Sequence, residues 1–174
     1  MRIVIDARLY GSKNTGNGRY TANLIESLAK QDSENEYFVL LRSEFYNQIN
    51  LPKKFKKVLA DFGHYSIAEQ IRMPFLLNSL KPDIVHFTHF NVPVFYFGNF
   101  VVTIHDLIMH KFWGWETTTA NPIKYIFFRI GYYVAFAKAV YFSKRIICPT
   151  EAVKKDIISF YKINPKKIDV IYEA

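Results

Sequence analysis

A chain of 174 residues, half of them hydrophobic, is long enough to bury a sizeable core and short enough to read as one domain. Seven glycines and seven prolines exclude a low-complexity polymer, and the single cysteine, Cys148, excludes a disulfide framework. The net charge of +8 points to an anionic partner: nucleic acid, an acidic membrane surface or a phosphorylated substrate.

The lone cysteine makes a reducing compartment the natural reading, and Met1-Arg2 leads directly into Arg-Ile-Val-Ile-Asp at 2–6, a predicted strand with no charged and apolar leader, so nothing marks secretion. A loop over 7–15 follows, then Thr-Gly-Asn-Gly-Arg-Tyr at 15–20 and a helix from about 18 to 30, where Tyr20, Leu24, Ile25 and Leu28 keep helical spacing. Strand, glycine loop and helix N-terminus can cradle phosphate, because glycine admits a close approach and the free N–H groups favour an anion. No Gly-Lys-Ser/Thr follows, and no glycine stands three residues after Gly18, so neither the P-loop nor the full dinucleotide fingerprint is met. A plain tight turn remains the alternative.

Residues 37–41 predict a second strand and 43–50 a short helix or loop. Lys53, Lys54, Lys56 and Lys57 surround Phe55 and read as a solvated basic face. A helix is predicted over 66–80, with Pro74 expected to kink or interrupt it, and then a buried strand over 83–87. Residues 88–98 form an aromatic, proline-bearing loop. His86 and His89 stand three apart, but no further ligand follows at a zinc-like spacing, so no metal is expected.

The stretch 100–107, Phe-Val-Val-Thr-Ile-His-Asp-Leu, reads as a strand buried on both faces that ends in a histidine and an acid. In open α/β sheets ligands bind at the carboxyl ends of strands, which would give His105 and Asp106 a chemical role. The alternative is a histidine that merely satisfies a backbone carbonyl. The connection 108–121 lies where lids and acceptor loops are found. Residues 122–143 approach a membrane span in length. Arg129 and Lys138 inside them would each cost ~3 kcal/mol at mid-bilayer, so they read as a long helix on the sheet, with a face left for a membrane or partner. A strand at 145–149, a helix at 151–161 capped by Thr150, and a last strand at 168–172 complete the alternation. Such alternation implies right-handed crossovers and an α/β, doubly wound parallel sheet.

The motifs recur in a recognisable order: Ile-Asp-Ala-Arg at 5–8, Thr-Gly-Asn-Gly-Arg-Tyr at 15–20, Pro-Asp-Ile-Val-His-Phe at 82–87 and Thr-Ile-His-Asp-Leu at 103–107. Arg-Ile-Ile-Cys-Pro-Thr-Glu-Ala-Val-Lys-Lys-Asp-Ile at 145–157 and Lys-Ile-Asp-Val-Ile-Tyr at 167–172 close the set. In this order the chain resembles the amino-terminal half of the retaining glycosyltransferases of family 4, which have the two-domain GT-B architecture. It departs at Cys148-Pro149, where that family often has a small residue or valine before Ser-Glu.

The resemblance implies a Rossmann-like fold over 1–174, forming the acceptor-binding half of an enzyme that moves a sugar from a nucleotide-sugar donor to a glycan or lipid-linked acceptor with retention. It implies no metal or cofactor. His105 and Asp106 would be catalytic, with Gly16, Asn17, Gly18 and Arg19 at the donor diphosphate and His86, His89 and Asn91 at the acceptor. The family's Glu-x7-Glu donor motif has no counterpart, so a carboxyl-terminal donor domain or a partner chain is expected to complete the enzyme. The expected location is cytoplasmic, with peripheral contact to an anionic membrane. A non-catalytic membrane-docking module and a nucleic-acid binder are the rival classes. The second lacks any zinc, helix-turn-helix or RNA-binding signature, so no nucleic-acid partner is expected.

Overall fold

Seven strands lie side by side in one parallel sheet in the computed structural model, which describes residues 1–11, 15–111 and 122–172, with Thr15 and residues 122–124 described by backbone alone. In chain order, β1 (Arg2–Asp6), α1 (Thr15–Gln31), β2 (Glu36–Leu41), α2 (Ser43–Tyr46), β3 (Phe55–Leu59), α3 (Ile67–Leu80) and β4 (Ile84–Phe87) come first. They are followed by β5 (Phe100–Thr103), α4 (Ile108–Lys111), α5 (Pro122–Phe142), β6 (Arg145–Cys148), α6 (Glu151–Tyr161), a 3-10 turn at Pro165–Lys167 and β7 (Ile168–Val170).

The sheet order is β3-β2-β1-β4-β5-β6-β7. The chain runs outward from β1 to β3, returns to lay β4 along the other side of β1, and then proceeds to β7. Ile5 is thus paired with Val39 on one side and His86 on the other. The reversal between β1 and β4 is a topological switch point, where the loops after neighbouring strands part and leave a crevice.

Alternating side chains feed two cores. Ile5, Tyr37, Val39 and Phe55 meet Ile25 of α1 and Phe45 of α2. Val4, Phe87, Val102 and Ile146 meet Leu77 of α3, Phe136 of α5 and Ile157 of α6 on the opposite face. Burial on both faces is why these strands read as continuous apolar runs. The predicted Rossmann-like, doubly wound fold is the one observed.

Several boundaries differ from the sequence reading. The lysine-rich run contains the edge strand β3. Phe55 enters the core, Lys56 pairs with Glu36, and Lys57 Nζ donates to the carbonyls of Tyr46 and Ile49 at 2.8 and 3.1 Å. Charge on an edge strand also deters pairing with another chain. α1 begins at Thr15, so Gly16 and Gly18 belong to its first turn, where backbone N–H groups have no intrahelical partner. α3 runs unbroken through Pro74. The proline has no N–H to give Gln70, and its burial beside Met73 and Leu77 offsets that loss. β5 stops at Thr103, so His105 stands just beyond the strand.

Arg129 and Lys138 are accommodated within α5. The Arg129 guanidinium donates to the Tyr133 and Tyr125 hydroxyls at 2.7 and 3.3 Å, and Lys138 Nζ lies 4.3 and 4.2 Å from the ring centres of Phe97 and Phe142. Among the described residues no helix is long and apolar enough to cross a membrane. The lid expected over 108–121 falls, after α4, on residues 112–121, which lie outside the described residues.

Candidate functional site

The loops after β1, β4 and β5 converge at the switch point with the start of α1. Their foundation is a buried ionic cluster. Arg8 grips both oxygens of Asp6 at 2.8 and 2.7 Å and reaches Glu69 Oε1 of α3 at 2.6 Å. Asn91 Nδ2 contacts both Glu69 oxygens at 2.8 Å, and the Tyr65 N–H donates to Oε2 at 2.7 Å. Burial alone would raise the Asp6 carboxyl, but the charge and hydrogen bonds of Arg8 outweigh it and hold Asp6 below the ordinary carboxylate range. Glu69 is pushed up, because burial exceeds what Arg8 and Asn91 return. The cluster ties the β1 and β4 loops to the first turn of α3, where Ser66 caps the helix by accepting the Glu69 N–H at 3.0 Å.

His105 stands above this base, half-buried. Its Nε2–H donates to the Thr88 carbonyl at 3.0 Å, so it does satisfy a backbone carbonyl, and that bond also fixes the tautomer of the ring. The ring meets Tyr20 of α1 edge to face, 4.9 Å between centres. Thr88 in turn donates to the Asp6 carbonyl at 2.8 Å. A line of hydrogen bonds runs beneath: Thr103 Oγ1 is 2.9 Å from the Tyr20 hydroxyl and 2.9 Å from His86 Nε2. Thr103 has one proton to give and two lone pairs, so it donates to at most one of the two and accepts from the other.

The other predicted residues are placed as follows. Asp106 is exposed and accepts the Ile108 N–H at 2.9 Å, holding the start of α4. His86 is buried behind the site, and burial, aided by the charge of His105, lowers it to about 4. His89 is half-buried against Phe90, 4.1 Å between ring centres, and burial with the charge of His64 lowers it to about 3. Its Nδ1 accepts the Asn91 N–H at 3.3 Å. Asn91 is buried, with its amide on Glu69. Gly16 and Arg19 are exposed, and with Tyr20, Ile147 and Ile171 they border an open groove of about 480 Å³ beside α1.

His105, Asp106, His89, Asn91 and the first turn of α1 thus share the carboxyl end of the sheet, while His86 supports them from within. The sequence singles out neither Glu69 nor Tyr20, Thr103 and His64. Only the spacing Ser66-x-x-Glu69, a capping-box pattern, could have drawn attention to one of them. Among the described residues no group of three His, Cys, Asp or Glu side chains is placed to hold a metal ion. The arrangement offers imidazole and hydroxyl groups for hydrogen bonding, with His86 and His89 kept neutral by burial, and helix N–H groups for an anion.

The fold recurs in solved structures. A protein assigned as a UDP-N-acetylglucosamine 2-epimerase from Listeria monocytogenes superposes with a TM-score of 0.60 at 15% identity, over 97% of this chain and 43% of its own. Another UDP-N-acetylglucosamine 2-epimerase gives 0.58 at 13% identity, over 98% of this chain and 47% of its own. A glycosyltransferase from Rickettsia africae ESF-5 gives 0.53 at 14% identity, over 99% and 43% respectively. The chain spans less than half the length of each. No curated protein sequence matches it. Residues 15–174 match the family described as Glycosyltransferase Family 4, and the chain belongs to that family.

Proposed function

We propose that this chain is the acceptor-side half of a retaining glycosyltransferase that takes its sugar from a nucleotide-sugar donor. The observation carrying the reading is the placement of His105, beyond β5 at the switch point and in ring contact with α1, within a chain of the matched family. In the reaction the acceptor oxygen replaces the diphosphate oxygen on the anomeric carbon. The diphosphate leaves with the bonding electron pair, and the acceptor proton is released.

The first turn of α1, with Gly16, Asn17, Gly18 and Arg19, meets the charge that builds on the diphosphate. His105 hydrogen-bonds the donor sugar or the surroundings of the leaving group, and Asp106 keeps its loop in place. His89 and Asn91 border the acceptor, with His86 behind them. No metal or cofactor takes part in this reading. A second domain or a partner chain supplies most of the donor contacts.

The test is His105→Ala, assayed for sugar transfer in the enzyme completed by its donor-binding half. Turnover is expected to fall roughly a hundredfold, the scale of one transition-state hydrogen bond of ~2.7–4 kcal/mol. The isolated fold should lose only about 1 kcal/mol, the worth of the bond to Thr88. Normal turnover with a large loss of stability would return His105 to a packing role.

A further inference from the structure

His105 is held from two sides, and both restraints lead back to α1. On one side the Thr88 carbonyl accepts its Nε2–H, and the Thr88 hydroxyl lies 3.2 Å from that of Thr21 on α1. On the other, the Tyr20 ring meets the imidazole edge to face, with 81° between their planes. Tyr20 lies one turn beyond Gly16, on the same face of the helix. Gly16, Arg19 and Tyr20 together border the groove beside α1.

A hydrogen bond at Nε2 fixes one edge of an imidazole and leaves its plane to be set by what packs against the ring. The plane matters, because in the Nε2–H tautomer Nδ1 is an acceptor whose lone pair lies within it. Edge-to-face aromatic contacts are directional, and Tyr20 supplies one here. The Tyr20 hydroxyl is itself anchored, 2.9 Å from Thr103 Oγ1. Thr103 is buried, its hydroxyl is also 2.9 Å from His86 Nε2 of β4, and it ends the strand that leads to His105 two residues later. α1 is thereby registered against β5 where the histidine departs.

We propose that Tyr20 is a positioning residue for His105: its ring sets the imidazole plane, and the bond to Thr103 holds that ring in place. The helix turn that offers N–H groups to an anion and the imidazole are then held as one unit, at a fixed separation. Tyr20 acts through His105 and not on the reacting atoms. Its effect on sugar transfer rests on the reading above; the positioning itself does not.

The first measurement is made on the 174-residue chain, labelled with 13C at histidine Cε1, with no donor present. Nuclear relaxation of the His105 Cε1–H vector, identified by its absence from His105→Ala, reports how ordered the ring is. In the wild type its order parameter should match a rigid backbone, ~0.85, and Tyr20→Phe, which keeps the ring contact, should stay near it. Tyr20→Leu should fall to ~0.6 or below. The second measurement is sugar transfer by the enzyme completed with its donor-binding half. Tyr20→Leu should lose turnover roughly tenfold with the donor KM within about threefold, because groups misplaced by ~1 Å cost up to a hundredfold. Tyr20→Phe should recover most of that loss. If Tyr20→Leu does not fold by circular dichroism, Tyr20→Met takes its place with the same expectations. A ring as ordered in Tyr20→Leu as in the wild type would overturn the proposal. So would unchanged turnover, a raised KM with turnover kept, or a Tyr20→Phe as poor as Tyr20→Leu. A completed wild-type enzyme that transfers no sugar would defeat the sugar-transfer reading alone, and the relaxation measurement would still decide the role of Tyr20.

Discussion

Replacing Arg8 with methionine keeps a long apolar stem and removes the only basic side chain hydrogen-bonded to Asp6 and Glu69 among the described contacts. The wild-type guanidinium makes two bonds to Asp6 and one to Glu69, all buried. Without it two carboxylates share a site that water does not reach, and breaking a buried ion pair from one side costs ~3–5 kcal/mol. That is a large part of the ~5–15 kcal/mol stability of a typical domain. The sign of the pH dependence follows from the same picture. Carboxyls left without Arg8 have folded pKa values above their unfolded ones. They therefore weaken the fold at neutral pH and stop doing so as they take up protons. Urea denaturation of both proteins at pH ~7 and ~5 should show the deficit of Arg8→Met shrinking on acidification. Adding Glu69→Gln should recover part of it, since one orphaned charge disappears. A deficit below ~1 kcal/mol, or one that does not shrink at low pH, would refute the view that Arg8 holds two buried charges together.

The wild-type fold should itself weaken in acid for a different reason. His86 is held at about 4, below its ordinary value of 6.5, by burial first and the charge of His105 second. Between those values the unfolded chain binds a proton the fold refuses, so stability is full above pH ~6.5 and falls by up to ~1.4 kcal/mol per pH unit for this group. Melting curves across that range should show the slope, and His86→Gln should reduce it; a flat profile would contradict it. Gly11 has φ +99 and lies against the Phe45 ring, so Gly11→Ala should cost ~1–2 kcal/mol in backbone strain, with added overlap at Phe45. A melting point equal to wild type would show that the turn relaxes freely.

The central strands were legible because burial on both faces leaves an unbroken apolar run, as in Ile84–Phe87 and Arg145–Cys148. α6 was legible because Thr150 marks its start, and its hydroxyl does accept the Val153 N–H at 3.2 Å. β3 escaped notice because an edge strand needs only one inward anchor, Phe55, and tolerates lysines around it. The first turn of α1 read as a loop because glycine is a poor helix former, yet within that turn it forfeits little hydrogen bonding. Position at a strand end was enough to bring out His105 and Asp106. The partnership of Arg8 with Glu69 was not visible, because 61 residues separate them and a lone glutamate on a helical period looks solvated. Likewise, Tyr20 counts only as one apolar position of a helix until the sheet brings Thr103 and His86 beneath it.

The place of β1 in the interior of the sheet has a consequence for how the chain is made. β1 precedes its partner on one side, β4, by roughly 80 residues, some 4–16 seconds at ordinary elongation rates. Throughout that interval Ile3, Val4 and Ile5 present an unpaired, apolar edge to the translating cell. A nascent chain stalled before Ile84 therefore displays the strand most prone to pair wrongly, and the demand for chaperones should peak there and fall once Ile84–Phe87 has emerged.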